Sequence, residues 1–252
     1  MNPLFLRLFD DAAIFPPGNV PMAAAVAAHR ERRGSPLEPM LGPFICSLAR
    51  WDELVAAAAG GPPLAVSLVT TSPELPAAPE IDIVAVEMVG ATEAGAVTTY
   101  AEVPCGEITA TRVAALRDAG LRLKIRTGGV RADAFPSEAE LARALWAAVR
   151  GGIAFKLTAG LHDPIRHRDP ATGFEHHGYL NVILATAQAL QGYDIERALA
   201  DQDAERVAAA VARIDEVLAK AVRHHFISFG TCSISEPVGG LLSLGLLPED
   251  LR

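Results

Sequence analysis

The chain contains LRLKIRTGG at residues 121–129 and IAFKLTAG at residues 153–160, two apolar runs that each hold a lysine. With the two-residue period of a β-strand, Leu123 and Ile125 point to one face and Lys124 points to the other. Burying an unpaired ammonium group is costly, so such a lysine must pair with an acid, reach water or lose its proton. The two segments therefore predict neighbouring core strands that present lysines to a polar interior.

Strand-like apolar runs alternate with alanine-rich helical segments along the chain, as in βα units that form a parallel sheet. Eight such units within 252 residues predict an α/β fold, a (β/α)8 TIM barrel, as a single domain over residues 1–252. An open doubly wound sheet is the alternative, but no glycine-rich phosphate loop follows an early strand. The predicted strands are 4–9, 43–48, 64–70, 81–89, 97–103, 121–126, 153–158 and 226–230, and the main predicted helices are 21–32, 51–59, 109–119, 137–150 and 203–224.

Two regions are expected to break the regular alternation. The connections at 71–79 and 90–96 are rich in proline, glycine and alanine, so either is expected to be mostly loop. Between strands seven and eight, a polar loop at 161–177 and an extra helix at 177–192 are predicted as an insertion, and such a long loop is usually functional. We expect this insertion to form part of the rim of the site.

Charge and composition narrow the class of partner. A formal charge of -8 argues against nucleic acid or an anionic membrane as the principal partner. Neither a secretory signal pattern nor an apolar stretch of about 18 residues is found, which predicts a cytoplasmic protein. The cations cluster at 124–126 and 166–168, which suits a small anionic ligand, and homo-oligomer formation stays open. Three scattered cysteines without CxxC spacing predict reduced thiols.

Strand parity predicts a set of inward charges near the mouth of the barrel. Side chains of one parity fill a barrel, and those nearest the C-terminal strand ends face the catalytic side. An ion-pair lattice that only fixes strand register is the alternative, but charge clustered at this end is better evidence for chemistry. The predicted inward residues on four consecutive strands are Glu87, Glu102, Lys124 with Arg126, and Lys156.

These residue types suit Schiff-base chemistry. A lysine beside other cations is expected to have a lowered pKa, and its neutral amine can then attack a carbonyl group. The resulting iminium stabilises a carbanion on the adjacent carbon. Glu102 is predicted to shuttle protons, and Arg126 to hold a carboxylate or phosphate through paired N–H donors.

One of Asp10 and Asp11 is expected to orient a lysine or bind metal. The residues assigned to substrate binding are Arg126, Thr127, Gly128, Thr158, Arg166, Ser228, Cys232 and Asp11.

The segment 160–177 carries four of the seven histidines. Imidazole and carboxylate groups suit a divalent transition metal, but the spacing is neither HxH nor HExxH, so no cofactor is assigned and a divalent metal is only possible. His162 is predicted to face substrate or to act as an acid or base. Cys232 with a nearby histidine is a candidate thiolate nucleophile, and a buried inert thiol is the alternative.

Two resemblances follow from these motifs. The lysines of strands six and seven, followed by Thr-Gly-Gly and Thr-Ala-Gly, resemble those of deoxyribose-phosphate aldolase and related class I aldolases. That resemblance implies that Lys124 forms the Schiff base and that Lys156 perturbs it. Over nearly its whole length, from DDAAIFPPG at 10–18 to FGTC at 229–232, the chain also resembles a group of uncharacterised bacterial proteins, which implies no activity.

The sequence therefore predicts a Schiff-base-forming lyase or aldolase that acts on a small carboxylated or phosphorylated carbonyl compound. A metal-dependent isomerase or hydrolase that uses the histidine segment is one alternative. A non-catalytic barrel that binds an anionic metabolite is the other.

Overall fold

Eight parallel strands close into a barrel in this computed structural model, which describes residues 2–248 and 251. The strands, including a separate two-stranded hairpin, are β1 (Phe9–Asp11), β2 (Leu41–Ser47), β3 (Leu64–Val69), β4 (Ile81–Val89), β5 (Thr98–Val103), β6 (Arg122–Arg126), β7 (Phe155–Thr158), β8 (His167–Arg168), β9 (Glu175–His176) and β10 (Phe226–Thr231). The order around the barrel is β1, β10, β7, β6, β5, β4, β3, β2, and β1 pairs with both β10 and β2. The predicted (β/α)8 TIM barrel is confirmed.

Helices flank the barrel strands. They are α1 (Met22–Arg33), α2 (Trp51–Ala58), α3 (Ala110–Asp118), α4 (Glu138–Arg150), α5 (Tyr179–Leu190), α6 (Glu196–Ala200), α7 (Ala204–Ala212), α8 (Glu216–His225) and α9 (Ser235–Ser243). The main apolar core lies between strands and helices: Leu123 and Ile125 of β6 are fully buried in the same cluster as Leu141 and Leu145 of α4. Because the strand period is two, the residue between Leu123 and Ile125 faces the barrel interior instead.

The start of the chain differs from the prediction. A strand is predicted over 4–9, whereas the structure has a 3-10 helix at Pro3–Phe5 and β1 at Phe9–Asp11. The Asn2 side chain accepts a hydrogen bond from the Leu4 N–H, and proline at the first position favours a helical turn. The apolar run is buried all the same, and a short buried run does not distinguish a helical turn from a strand.

The irregular regions follow the prediction in part. The connections 70–80 and 90–97 contain no helix, and the insertion between β7 and β10 holds the β8–β9 hairpin followed by α5. The predicted final helix over 203–224 is instead two helices, α7 and α8, because the Asp215 side chain accepts from the Leu218 N–H and starts α8. Helix α9 was not predicted, since Pro237 and two glycines weaken its helical pattern.

Among residues 2–248 and 251, no helix is both long enough and apolar enough to cross a membrane.

A capping box formed by Ser137 and Glu140 starts α4 and gives a test of local stability. The Glu140 N–H donates to Ser137 Oγ at 3.3 Å, and the Ser137 N–H donates to the Glu140 carboxylate at 2.8 Å. We expect Ser137→Ala to lower the free energy of unfolding by about 1 kcal/mol, because an N-terminal N–H of the helix loses its acceptor. Chemical denaturation measures this loss. Ser137→Asp, which keeps an acceptor, is the matched control, and an equal loss in both variants would contradict the explanation.

Candidate active site

Lys124 and Lys156 lie side by side inside the barrel. They are register partners on β6 and β7, and only 3% and 1% of their surfaces are exposed. The strand period explains the placement, because their apolar neighbours along each strand face the helices. Both lysines therefore point inward, as predicted.

One carboxylate joins the two lysines. Lys156 Nζ donates to Glu87 Oε1 at 2.5 Å, and Lys124 Nζ lies 2.8 Å from Glu87 Oε2. Ser67 of β3 also donates to Glu87 Oε1, at 2.7 Å. Glu87 is 1% exposed, so its charge is compensated by these three donors rather than by water. Ser67 was not predicted, although it is the one polar residue in the run LAVSLV at 64–69.

Asp10 holds Lys156 from the opposite side. Its Oδ2 accepts from Lys156 Nζ at 2.6 Å and from Ser228 Oγ at 2.7 Å. Gly42 on β2 leaves the space for this carboxylate, because a Cβ at position 42 would lie 1.9 Å from Asp10 Oδ1. Lys156 is thereby enclosed by two acids.

The upper part of the cluster opens toward the mouth. Lys124 Nζ lies 2.8 Å from Glu102 Oε2, and Arg126 Nε donates to Glu102 Oε1 at 2.9 Å. The Glu102 side chain is 14% exposed and that of Arg126 is 47% exposed. A cavity of about 460 Å³ beside the ends of β2 to β5 is lined in part by Glu87 and Glu102. Lys124 is thus bonded to both acids that border this cavity.

The neighbouring charges favour the ionised forms of Glu87, Glu102 and Lys156. Burial opposes ionisation, but Lys156 and Lys124 together hold the pKa of Glu87 well below its usual value. Burial likewise opposes ionisation of Glu102, but Lys124 and, to a smaller extent, Arg126 outweigh it and lower the pKa of that carboxyl. Burial lowers the pKa of Lys156, but Asp10 and Glu87 outweigh it and raise that pKa above the ordinary value. The predicted lowering of the lysine pKa is therefore wrong for Lys156, because the acids around it are closer than the other cations. Burial dominates at Asp10 and raises the pKa of that carboxyl.

The use of lysine at this position is selective. The chain has only three lysines among its 22 basic residues, and two of them are Lys124 and Lys156. The third, Lys220, lies exposed on α8 and pairs with Glu216. Arginine stays protonated in proteins, whereas a lysine can release its proton. The scarcity of lysine can be read from the sequence, and it points to these two positions independently of strand parity.

Three residues assigned to substrate binding have structural partners instead. The Thr127 hydroxyl is buried and donates to the Ala159 carbonyl at 2.7 Å. Gly128 lies against the next strand end, where an added Cβ would be 3.0 Å from Gly160 Cα. The Arg166 side chain is 5% exposed and pairs with Glu138 at 2.8 Å and Glu175 at 3.2 Å, so it ties the insertion to α4. These contacts give all three residues a structural role, and their assignment to substrate binding stays a prediction, since loop polarity alone does not show which polar groups become buried.

Asp11 is also placed differently from its assignment. Its Oδ2 lies 3.0 Å from His29 Nδ1 and 3.3 Å from Arg32 of α1. The carboxylate therefore faces the helix layer, while Asp10 faces the lysines. Because β1 begins later than predicted, its parity could not be read from the sequence.

Ser228 and Thr158, which were also assigned to substrate binding, lie in the barrel interior. Ser228 is 3% exposed and enters the cluster through Asp10. Thr158 is half-buried two residues after Lys156 on β7. Gly230 lies beside it, and a Cβ added at Gly230 would lie 3.8 Å from Thr158 Oγ1. Thr158 therefore remains a candidate contact for a ligand above the lysines.

The four histidines of the insertion do not converge. His167 stacks on His176 with ring centroids 5.2 Å apart, and its Nε2 lies 3.3 Å from Asp163. His177 is fully buried against the Pro136 carbonyl, and burial lowers its pKa to about 4 despite this contact. Within the described ranges, 2–248 and 251, no group of three or more His, Cys, Asp or Glu residues could hold a metal ion.

His162 and Cys232 meet on another side of the mouth. His162 Nδ1 lies 2.8 Å from Glu236 Oε2, and both ring nitrogens lie 3.8 Å from Cys232 Sγ. Glu236 was not predicted, because it belongs to the unpredicted helix α9.

No protein-family model matches this chain, and no curated protein or solved structure matches it significantly. We therefore infer the function from the geometry of the site.

Removing one member of the cluster tests how its charges are compensated. We expect Lys156→Met to lower the free energy of unfolding by about 3–5 kcal/mol, because Asp10 and Glu87 lose a buried counter-charge. Chemical denaturation of this variant and of Lys156→Met combined with Asp10→Asn measures the coupling. The double variant should recover part of the loss, and strictly additive losses would contradict a direct pair.

Proposed function

We propose that the protein is a Schiff-base-forming lyase or aldolase that acts on a small carboxylated or phosphorylated carbonyl compound. One observation carries the proposal: two interior lysines share Glu87, and one of them, Lys124, also bonds the acid that borders an open cavity. A TIM barrel with a charged cluster at the C-terminal ends of its strands is an arrangement that supports catalysis.

Lys124 is the better nucleophile of the two. Lys156 is enclosed by Asp10 and Glu87, and its raised pKa keeps it an ammonium group. Lys124 instead contacts Glu87 and Glu102, which both line the cavity. Lys156 already compensates part of the Glu87 charge. This division agrees with the roles that the aldolase resemblance implies.

The reaction begins with a proton transfer. Lys124 gives a proton to Glu102, and the neutral amine attacks the substrate carbonyl carbon to form a C–N bond. Glu102 returns the proton to the former carbonyl oxygen and then moves a second proton to it from the carbinolamine nitrogen, so that the oxygen leaves as water and an iminium ion forms. Glu102 next takes the proton of the hydroxyl on the β carbon, that carbon leaves as a carbonyl fragment, and the electron pair of the broken Cα–Cβ bond moves into the iminium to give an enamine. Glu102 is suited to carry the proton, because it is hydrogen-bonded to Lys124 and reaches the cavity.

Arg126 is the group best placed to select an anionic substrate. Its Nε is used by Glu102, whereas its terminal nitrogens donate to no residue in the described part of the chain. The half-exposed guanidinium stands above the lysine and can pair with a carboxylate or phosphate.

The scarcity of lysine makes the covalent step directly testable. Incubation with pyruvate and borohydride should add one reduced adduct at Lys124, because reduction makes the iminium permanent. Peptide mass spectrometry locates the adduct among the three lysines, with exposed Lys220 as an internal measure of non-specific reaction. Lys124→Arg keeps the positive charge but forms no imine, so it should lose the adduct.

An adduct at Lys156 alone would reverse the two roles. Labelling of Lys124 no faster than that of Lys220 would contradict Schiff-base catalysis.

Substrate charge gives a second test. We expect Arg126→Gln to raise the half-saturating pyruvate concentration for trapping at Lys124 by about tenfold, because a charge-assisted contact is lost. The value for acetaldehyde, which has no carboxylate, should change much less. Comparison of the two compounds removes any shared effect of releasing Glu102, and Arg112→Gln at an exposed position of α3 is the matched control. Equal effects on both compounds would argue against carboxylate recognition by Arg126.

A binding barrel without turnover is the second candidate. The pairing of each interior lysine with two acids, together with the raised pKa of Lys156, favours stable ion pairs over a free amine. This function is supported if an anionic carbonyl compound raises the melting temperature while no adduct forms at Lys124.

A further inference from the structure

A thiol, an imidazole and a carboxylate come together at the mouth, apart from the lysine cluster. Cys232 follows β10 directly, His162 follows β7, and Glu236 lies in the first turn of α9. Glu236 Oε2 is 2.8 Å from His162 Nδ1, and Cys232 Sγ is 3.8 Å from both ring nitrogens. The chain therefore brings three groups of a nucleophilic arrangement together across 70 residues.

The surroundings fix the thiol but leave the imidazole accessible. Gly18 in the loop after β1 passes so close that a Cβ there would lie 3.0 Å from Cys232 Cβ. The His162 side chain is 24% exposed, and Glu236 is 56% exposed. Cys232 is half-buried and lies directly after the end of β10, beside the partly exposed imidazole. A small ligand that contacts the imidazole would therefore lie close to the sulfur.

We propose that Cys232, His162 and Glu236 form a second nucleophilic site, in which the Cys232 thiolate adds to small carbonyl compounds at the mouth of the barrel. Glu236 orients the ring through Nδ1, which leaves Nε2 to exchange a proton with the thiol. This site is independent of imine formation at Lys124.

The addition step balances without another reactant. The thiol proton passes to His162, and the thiolate sulfur forms a C–S bond with the carbonyl carbon. The π electrons of the carbonyl move to oxygen, and the His162 imidazolium returns the proton to that oxygen. The product is a thiohemiacetal, which forms and breaks down reversibly because no group leaves.

The proton affinities of the neighbouring groups support this assignment. The hydrogen bond to Cys232 raises the pKa of His162 to about 9, against the effect of burial, and Glu236 contributes in the same direction. The charge of His162 in turn helps to lower the pKa of His176, although burial of the His176 ring is the larger cause. By contrast, burial raises the pKa of Cys105 to about 12 and that of Cys46 to about 11. Burial therefore suppresses ionisation of the other two thiols of the chain.

Alkylation of the folded protein with iodoacetamide tests the thiol. The thiolate sulfur forms the S–C bond and iodide leaves. Peptide mass spectrometry at pH 7 should show Cys232 labelled at least about tenfold faster than a short free peptide that contains one cysteine, because only a few per cent of an ordinary thiol is ionised at this pH. A Cys232 rate no greater than that of the free peptide would overturn the proposal.

The pH profile separates activation from simple exposure. In the wild-type protein the Cys232 rate should stay level between pH 6 and pH 8. In His162→Gln it should fall at least about tenfold at pH 7 and rise with pH as for an ordinary thiol, whose midpoint is about 8.5. Glu236→Gln should give an intermediate rate, because the amide oxygen can still accept from the ring but the negative charge is lost. An unchanged profile in His162→Gln would overturn the role of the imidazole.

Glycolaldehyde tests the class of electrophile. Pre-incubation of Lys124→Arg with this aldehyde should slow iodoacetamide labelling at Cys232, and dialysis should restore it, because the thiohemiacetal is reversible. Absence of protection would overturn carbonyl capture by Cys232. Since Lys124→Arg cannot form the imine, this result does not depend on the proposed aldolase activity.

Discussion

The carboxylate of Glu87, shared by two lysines inside a closed barrel, is the interaction on which the site depends. It compensates Lys124 through one oxygen and Lys156 through the other, so neither ammonium group is left unpaired in the interior. Removing one partner of such a buried pair typically costs about 3–5 kcal/mol, whereas replacing a whole pair with apolar residues is often neutral. Stability therefore gives little reason to place this cluster in the barrel, and chemistry gives a better one.

The barrel makes the cluster possible by fixing which strands face each other. Lys124 and Lys156 are register partners, and Glu87 reaches them across the interior from β4, which lies two strands from β6 and three from β7. The neighbouring strands supply the remaining space and hydrogen bonds: Gly42 omits a side chain where Asp10 needs room, and Ser67 donates to Glu87. A lysine pair on an open sheet would lack these partners and would face either water or a helix.

The sequence predicted the barrel and four of its interior charges because both depend on periodicity. Alternation of strands and helices identifies the fold, and the two-residue period places Glu87 and Lys124 inside once the strand is located. The prediction from sequence failed where the burial of a side chain depends on residues that are distant in the chain. Asp11 was chosen over Asp10 because the apolar run before β1 includes a helical turn that shifts the strand. Arg166 is buried by acids on α4 and on the hairpin that no local pattern reveals.

The two nucleophiles that we propose at the mouth of the barrel have different electrostatic surroundings. Lys124 lies among acids, so its reactivity requires that a proton leave for a neighbouring carboxylate and that Lys156 hold part of the Glu87 charge. Cys232 lies beside a base instead, so its activation requires that His162 take a proton. Neither mechanism needs the other, because the lysine cluster is closed by carboxylates below the mouth, whereas the thiol is held by loops above it. A carbonyl compound entering the mouth would thus meet a thiol near the surface and an amine deeper in the barrel.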